Sequence, residues 1–505
     1  MCLLVVCAVS SAQAQQAYDV GYAARLAVDS SRSYPSDVRG RPVFVQFWYP
    51  TATRGTVTYQ ELIDAPVIAD SNAVTEALRQ RTLGIHAYVI GKYFVRDSAG
   101  LFARVAATRI AAARDAQPLP GRFPIVVYGA GAYNSTEENV TLWRTLASHG
   151  FIVAVIPSQG ERSVDLAVDA VGLETQARDL EFALALARRF PDADGTRVGA
   201  MGFSYGGAAA LIMAMRNDDV RAIAGLDPSF IGGRFQKTIQ ASPSFDADNF
   251  VTPVMELHRA DNITYSTKTL ELLRYAPRYS VTFNELNHVD FNSYVSAYLQ
   301  HAGARADSSA ARRARAYSEV VEQTVRFMEA FVKGDSAVRA VIGKPTRPPL
   351  PTPPTVSELR SLLERQGFPA FRARVAALTG SDPGARVIGE ATLNQLGYDL
   401  KSAGKLEDAV SVFLLNVQRH PTSANVYDSA ADVFEAAADN ACRAASYRKV
   451  LQVAPHDQSI DPTTRRQLLA NAAKQLKSLP ATASCRRIGP VSGERAADFS
   501  TSKRR

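Results

Sequence analysis

The sequence predicts an α/β protein, with a mainly parallel sheet covered by helices on both faces and a small all-α repeat domain behind it. Two observations carry this. Between Phe123 and Val332, short continuous apolar runs alternate with helical stretches, which is the pattern of strands buried on both faces. Beyond a proline-rich break, apolar positions recur with a period of 34 residues: Pro421 and Pro455, Phe413 and Tyr447, Leu400 and Phe434, Gly397 and Ala431. That is the period of tetratricopeptide helical pairs.

At 505 residues the chain exceeds what a single core usually supports. Its apolar content of 46% and charged content of 21% are those of an ordinary globular protein. A net charge of +8 is spread along the chain and ends in a short basic tail, Lys503-Arg504-Arg505. It reads as a solvated surface and implies no nucleic-acid partner. Residues 1–14 read as a signal peptide, with an apolar core Leu3–Val9 and small residues at Ala12 and Ala14, although no basic residue precedes the core. The expectation is an exported protein, periplasmic or secreted. No later run is long and apolar enough for a transmembrane segment. In an oxidising compartment Cys442 and Cys485 are a disulfide pair in waiting, with two separate thiols as the alternative.

In chain order, residues 18–50 are β-rich, and Val43–Tyr49 is a strand closed by Pro50. The α/β domain spans 18–343, with a helical insertion over 59–116 that reads either as a lid or pocket wall or as plain packing helices. Strands follow at Ile125–Tyr128, Phe151–Ile156, Arg197–Met201, Val220–Leu226, Pro253–Leu257 and Tyr279–Phe283. A closing helix carries Val321, Val325, Met328 and Val332 on one face. Residues 344–354 hold six prolines and form the linker. Residues 355–480 are the helical repeats with a capping helix from Arg465 to Leu479, and 481–505 are a tail.

The chemistry centres on Gly202-Phe203-Ser204-Tyr205-Gly206-Gly207, which lies between an apolar strand and the helical run Ala208–Met213. A serine on a sharp strand-to-helix turn is the nucleophile elbow of α/β-hydrolases, and it needs a histidine base oriented by a carboxylate. In that fold the acid and then the histidine follow the serine. Of seven histidines, His86 and His149 precede Ser204 and His420 and His456 lie in the repeats. Among His258, His288 and His301, the position of His288 in the loop after the last strand makes it the base. The acid is Asp227 or Asp261, each at a strand end; topology alone leans to Asp261. The oxyanion hole takes the amide of Tyr205 and a second amide after Tyr128, that of Ala132. No His-x-x-x-His or paired-cysteine spacing occurs, so no metal and no cofactor is implied.

From about Asp19 to Phe331 the chain resembles the platelet-activating-factor acetylhydrolase (isoform II) and dienelactone-hydrolase-like branch of α/β-hydrolases. The resemblance rests on Gln46-Phe47-Trp48-Tyr49-Pro50, Phe123–Tyr128, Gly202–Gly207, Gly225-Leu226-Asp227 and His288-Val289-Asp290-Phe291. It implies Asp227 as the acid and a carboxylic ester hydrolase, with short-chain, acetyl or trimmed-lipid esters as substrates. The chain departs from the pattern where His-Gly is usual in the oxyanion loop, having Ala130-Gly131 instead. The fused repeats are also foreign to it and suggest a protein partner. A peptidase or amidase on the same triad, or an interaction scaffold with a weakly active hydrolase domain, are the competing readings.

Overall fold

The structure, a computed structural model, describes residues 18–35, 37–94, 98–302, 309–350, 353–382, 384–480 and 485–488. The leader and nearly all of the tail lie outside the described residues. The chain divides into two compact units, residues 1–349 and 350–505.

The first unit has strands β1 (Asp19–Asp29), β2 (Arg41–Thr51), β3 (Val57–Thr58), β4 (Arg109–Ile110), β5 (Ala113–Arg114), β6 (Phe123–Gly129), β7 (Ile152–Ile156), β8 (Ala193–Phe203), β9 (Val220–Leu226), β10 (Val254–Arg259) and β11 (Arg278–Phe283). Nine form one sheet in the order β11-β10-β9-β8-β6-β7-β2-β1-β5. Only the pairings of β2 with β1 and with β7 are antiparallel; the remainder are parallel. Side chains alternate across the sheet: Val126 and Tyr128 enter one core with Trp143, Val320 and Phe327, whereas Ile125 and Val127 enter the other with Leu180, Leu184 and Leu211. The period of two explains why apolar runs with no polar face were needed here.

Three local expectations change. Pro50 does not close the second strand, which continues to Thr51 with Pro50 opposite Val20. The ring costs one ladder donor, but the Pro50 carbonyl still accepts from the Leu119 amide at 2.9 Å. The helical part of the insertion ends at Ala106, and Arg109–Ile110 and Ala113–Arg114 are strand pieces. Its long helix, Ala73–Tyr93, buries Leu78, Val89 and Ile90 in the first core. The proline-rich segment is not a free spacer at its start. Arg347 and Arg278 exchange backbone hydrogen bonds at 3.1 Å each way, which covers part of the β11 edge.

The second unit is all helical. Val356–Ser381 is broken at Gly367, whose φ of 78° no helix accommodates. Two helical pairs follow, Glu390–Ser402 with Leu406–Arg419 and Ala424–Ala436 with Asn440–Val453, and then Pro462–Leu476. The last helix starts three residues earlier than its apolar pattern suggests, because Asp461 caps it and Pro462 is suited to a first turn. Gly397 is required because a Cβ there would lie 2.7 Å from the Phe413 ring. Cys442 and Cys485 form a disulfide. Among the described residues, no helix is long and apolar enough to cross a membrane.

Candidate active site

The site lies at the carboxyl ends of β8 and β9 and in the loop after β11. Ser204 follows β8 directly and heads the helix Tyr205–Ala214, with φ 50° and ψ −117°. A side-chain-bearing residue holds that conformation only where its surroundings enforce it. The Ser204 amide donates to the Leu226 carbonyl at 3.0 Å, and the Ser204 carbonyl accepts from the Ser229 amide at 2.8 Å. The turn is also crowded from behind. A Cβ on Gly206 would lie 2.0 Å from the Gly129 carbonyl oxygen, and one on Gly202 would lie 2.4 Å from the Gly206 carbonyl carbon. Glycine is the only residue that lets strand and helix come this close.

His288 Nε2 is 3.1 Å from Ser204 Oγ, and His288 Nδ1 is 2.5 Å from Asp227 Oδ2. The imidazole also packs against Phe203, with ring centroids 4.6 Å apart. The Asp227 side chain is 1% exposed and its backbone has a φ of 38°. Asp261 lies elsewhere: its side chain is 67% exposed and paired with Arg259 Nη1 at 3.0 Å. Of the other histidines, His258 is in β10 and contacts Thr282 Oγ1 at 3.1 Å. His301 lies in the helix Ser293–Ala302 and contacts Thr108 Oγ1 at 2.8 Å. Burial pushes His258 down, and it pushes the fully buried His86 down to about 4.

Tyr205 directly follows Ser204, and Ala132 lies in the loop after β6, three residues beyond Gly129. Tyr205 is the first residue of its helix, where an amide has no intrahelical acceptor. Among the described residues, neither the Tyr205 nor the Ala132 amide makes a hydrogen bond. Gly131 approaches the elbow closely enough that a Cβ would lie 2.5 Å from the Phe203 ring.

Three supporting groups are invisible to motif reasoning. Arg259 Nε donates to Asp227 Oδ2 at 3.0 Å, so the Asp227 carboxyl faces a guanidinium as well as the imidazole. Asp290, two residues after His288, accepts from the Asn287 amide at 2.8 Å and is held by buried Arg313 through Nε at 2.9 Å. Glu138, fully buried, accepts from Tyr128 Oη at 2.5 Å and from the Gly131 amide at 3.3 Å. Burial pushes the Glu138 carboxyl up to about 8 and that of Glu137 up to about 7. The only sequence cue was the polar run Ser135–Asn139 between a strand and a helix, which otherwise reads as an exposed loop.

The fold, a mainly parallel sheet covered by helices, is that of an α/β-hydrolase. The model of the Dienelactone hydrolase family matches residues 113–332, the segment that contains Ser204, Asp227 and His288, and this match supports a hydrolase acting on esters. A solved structure, the ferulic acid esterase from Streptomyces cinnamoneus, is similar at 20% identity and a TM-score of 0.47, over 66% of this chain and 96% of that one. No curated protein sequence matches the chain.

Proposed function

We propose that the chain is a serine carboxylic ester hydrolase that works through an acyl-enzyme. The observation that carries this is the hydrogen-bonded row of Ser204, His288 and Asp227 at a strained strand-to-helix turn. Ser204 Oγ attacks the ester carbonyl carbon while His288 Nε2 takes its proton. The tetrahedral oxyanion is held by the amides of Tyr205 and Ala132. As it collapses, the C–O bond to the alcohol breaks and His288 returns the proton to the leaving oxygen. Water repeats the sequence on the acyl-Ser204 ester and releases the acid. Asp227 fixes the imidazole with Nδ1 protonated and stabilises its cationic form.

Short-chain, acetyl or trimmed-lipid esters are the substrates favoured by the resemblance to the acetylhydrolase branch. The C-terminal helices serve as tetratricopeptide-like repeats that recruit a protein partner. The protein works outside the cytoplasm, in keeping with its apolar leader and with a disulfide that a reducing compartment would not maintain.

The test is Ser204→Ala. It should abolish p-nitrophenyl acetate and butyrate turnover and labelling by a fluorophosphonate probe, with an unchanged melting transition. Undiminished turnover in that variant would refute the mechanism. A chain-length panel with a matched anilide separates an esterase from an amidase.

A further inference from the structure

Five consecutive polar residues, Ser135, Thr136, Glu137, Glu138 and Asn139, are each 2% exposed or less. Burying so many polar groups in a row is costly unless each is hydrogen-bonded, so where these bonds go is informative. Glu138 Oε1 accepts from Tyr128 Oη at 2.5 Å, and both carboxyl oxygens lie 3.3 Å from the Gly131 amide. Gly131 immediately precedes Ala132. Tyr128 Oη in turn accepts from Asn139 Nδ2 at 2.8 Å, and the same Nδ2 donates to Asn292 Oδ1 at 3.1 Å. Asn139 Oδ1 accepts from the Ser293 amide at 3.1 Å and from Tyr317 Oη at 2.9 Å. The Ser293 amide also reaches the Glu138 carbonyl, at 2.8 Å. Asn292 and Ser293 follow directly on the short helix His288–Phe291.

One end of this buried chain therefore grips the loop before Ala132, and the other grips the segment after His288. We propose that Glu138, Tyr128 and Asn139 form a positioning element that sets the oxyanion loop and the base loop relative to each other across the buried face of the site. They touch no reacting atom; they act through Ala132 and His288. The inference rests on the ester-hydrolase reading for the roles of those two residues. Burial raises the Glu138 carboxyl to about 8 even though the Tyr128 hydroxyl and the Gly131 amide, both donors to it, act in the opposite direction.

Displacement of an oxyanion donor weakens transition-state binding more than substrate binding. The measurements are kcat, KM and the Ki of an alkyl trifluoromethyl ketone, which adds to the serine and places an oxyanion in the hole. Glu138→Leu removes both acceptors, and Tyr128→Phe removes only the bridging hydroxyl, a change that the surrounding apolar ring contacts tolerate. For Tyr128→Phe, kcat should fall about tenfold with KM within about twofold, and Ki should rise by about the same tenfold. Glu138→Leu should lose more, and Glu138→Gln, which keeps an acceptor for the Gly131 amide, should recover most of that loss. In a double-mutant cycle, Tyr128→Phe and Asn139→Leu should be non-additive. An unchanged Ki in both Tyr128→Phe and Glu138→Leu, or a kcat that falls only with the folded fraction, overturns the proposal. If the wild-type protein neither turns over esters nor reacts with the fluorophosphonate, the ester-hydrolase reading fails instead.

Discussion

Ser204 and the residues it is hydrogen-bonded to are held by opposite means. At Ser204 the backbone does the work: glycines at 202 and 206 let the helix sit against the carbonyls of Gly129 and Ala130, where an added Cβ would find no room. Around Asp227, His288 and the loop at Gly131, side chains do it, some of them from other elements of the fold. Asn139 reaches Ser293, Arg313 reaches Asp290, and Arg259 reaches Asp227. Backbone crowding is rigid and sensitive to a single added carbon. A side-chain network is adjustable and fails in proportion to the bonds removed. The elbow should therefore respond to volume, and the other side to charge and hydrogen-bonding capacity.

The largest effect tests the side-chain half. Asp227→Asn keeps the shape and removes the charge that faces His288 Nδ1 and Arg259 Nε, and kcat/KM should fall by roughly 10³–10⁴. Asp261→Asn removes an exposed pair and should stay within about threefold of wild type. Equal losses in the two variants would erase the distinction between them. Next comes the backbone half. Gly206→Ala adds one methyl group that would lie 2.0 Å from the Gly129 carbonyl oxygen. The resulting shift of strand against helix should cost about 100-fold in kcat, while isosteric changes on the helix's far side cost little. A Gly206→Ala enzyme of normal rate would show that the elbow has slack.

The third effect is on stability. Arg313→Met leaves the buried Asp290 carboxylate without the guanidinium that holds it. Such a loss should cost about 3–5 kcal/mol in urea unfolding of the first unit. Adding Asp290→Asn should return part of it, because no uncompensated charge then remains buried. A double variant less stable than Arg313→Met alone would mean that Asp290 is supported mainly by its bond to the Asn287 amide.

The same division explains what could be read from the sequence. Ser204 was legible because the elbow is six contiguous residues, and backbone crowding writes itself as glycine. His288 was legible through chain order. The buried strands were legible because both faces of the sheet are covered, which leaves unbroken apolar runs such as Ile125–Tyr128. Asp227 and Asp261 both end strands; topology leaned to Asp261, and the family resemblance alone favoured Asp227. The network was not legible. The bonds that tie it to the base loop span more than 150 residues, from Asn139 to Asn292 and Ser293, and a run such as Ser135–Asn139 looks the same whether it faces water or a sealed core. The paired edge at Arg347 was hidden for the same reason, since proline content describes stiffness and says nothing about what the carbonyls and amides between the prolines meet.

The smallest effect separates a charged network from a neutral one. In the folded chain, burial raises the Glu138 carboxyl from 4.5 to about 8. The native state then binds a proton that the unfolded chain has already released, so the linkage slope is negative across that window. The stabilisation is complete below about 4.5, falls as pH rises, and is gone once pH passes about 8. Glu138→Gln holds a neutral amide at every pH and lacks this contribution. Its melting temperature should therefore decline less than that of wild type between pH 5 and 9. A residual decline should persist from Glu137, which burial raises to about 7. His86, pushed down to about 4, acts in the opposite direction: it destabilises both proteins as pH falls below about 6.5 and cancels from the comparison. Parallel melting curves for the two proteins across the alkaline range would mean that Glu138 is ionised in its buried seat, held there by the Tyr128 hydroxyl and the Gly131 amide. The bed beneath the Gly131 loop would then carry a fixed negative charge.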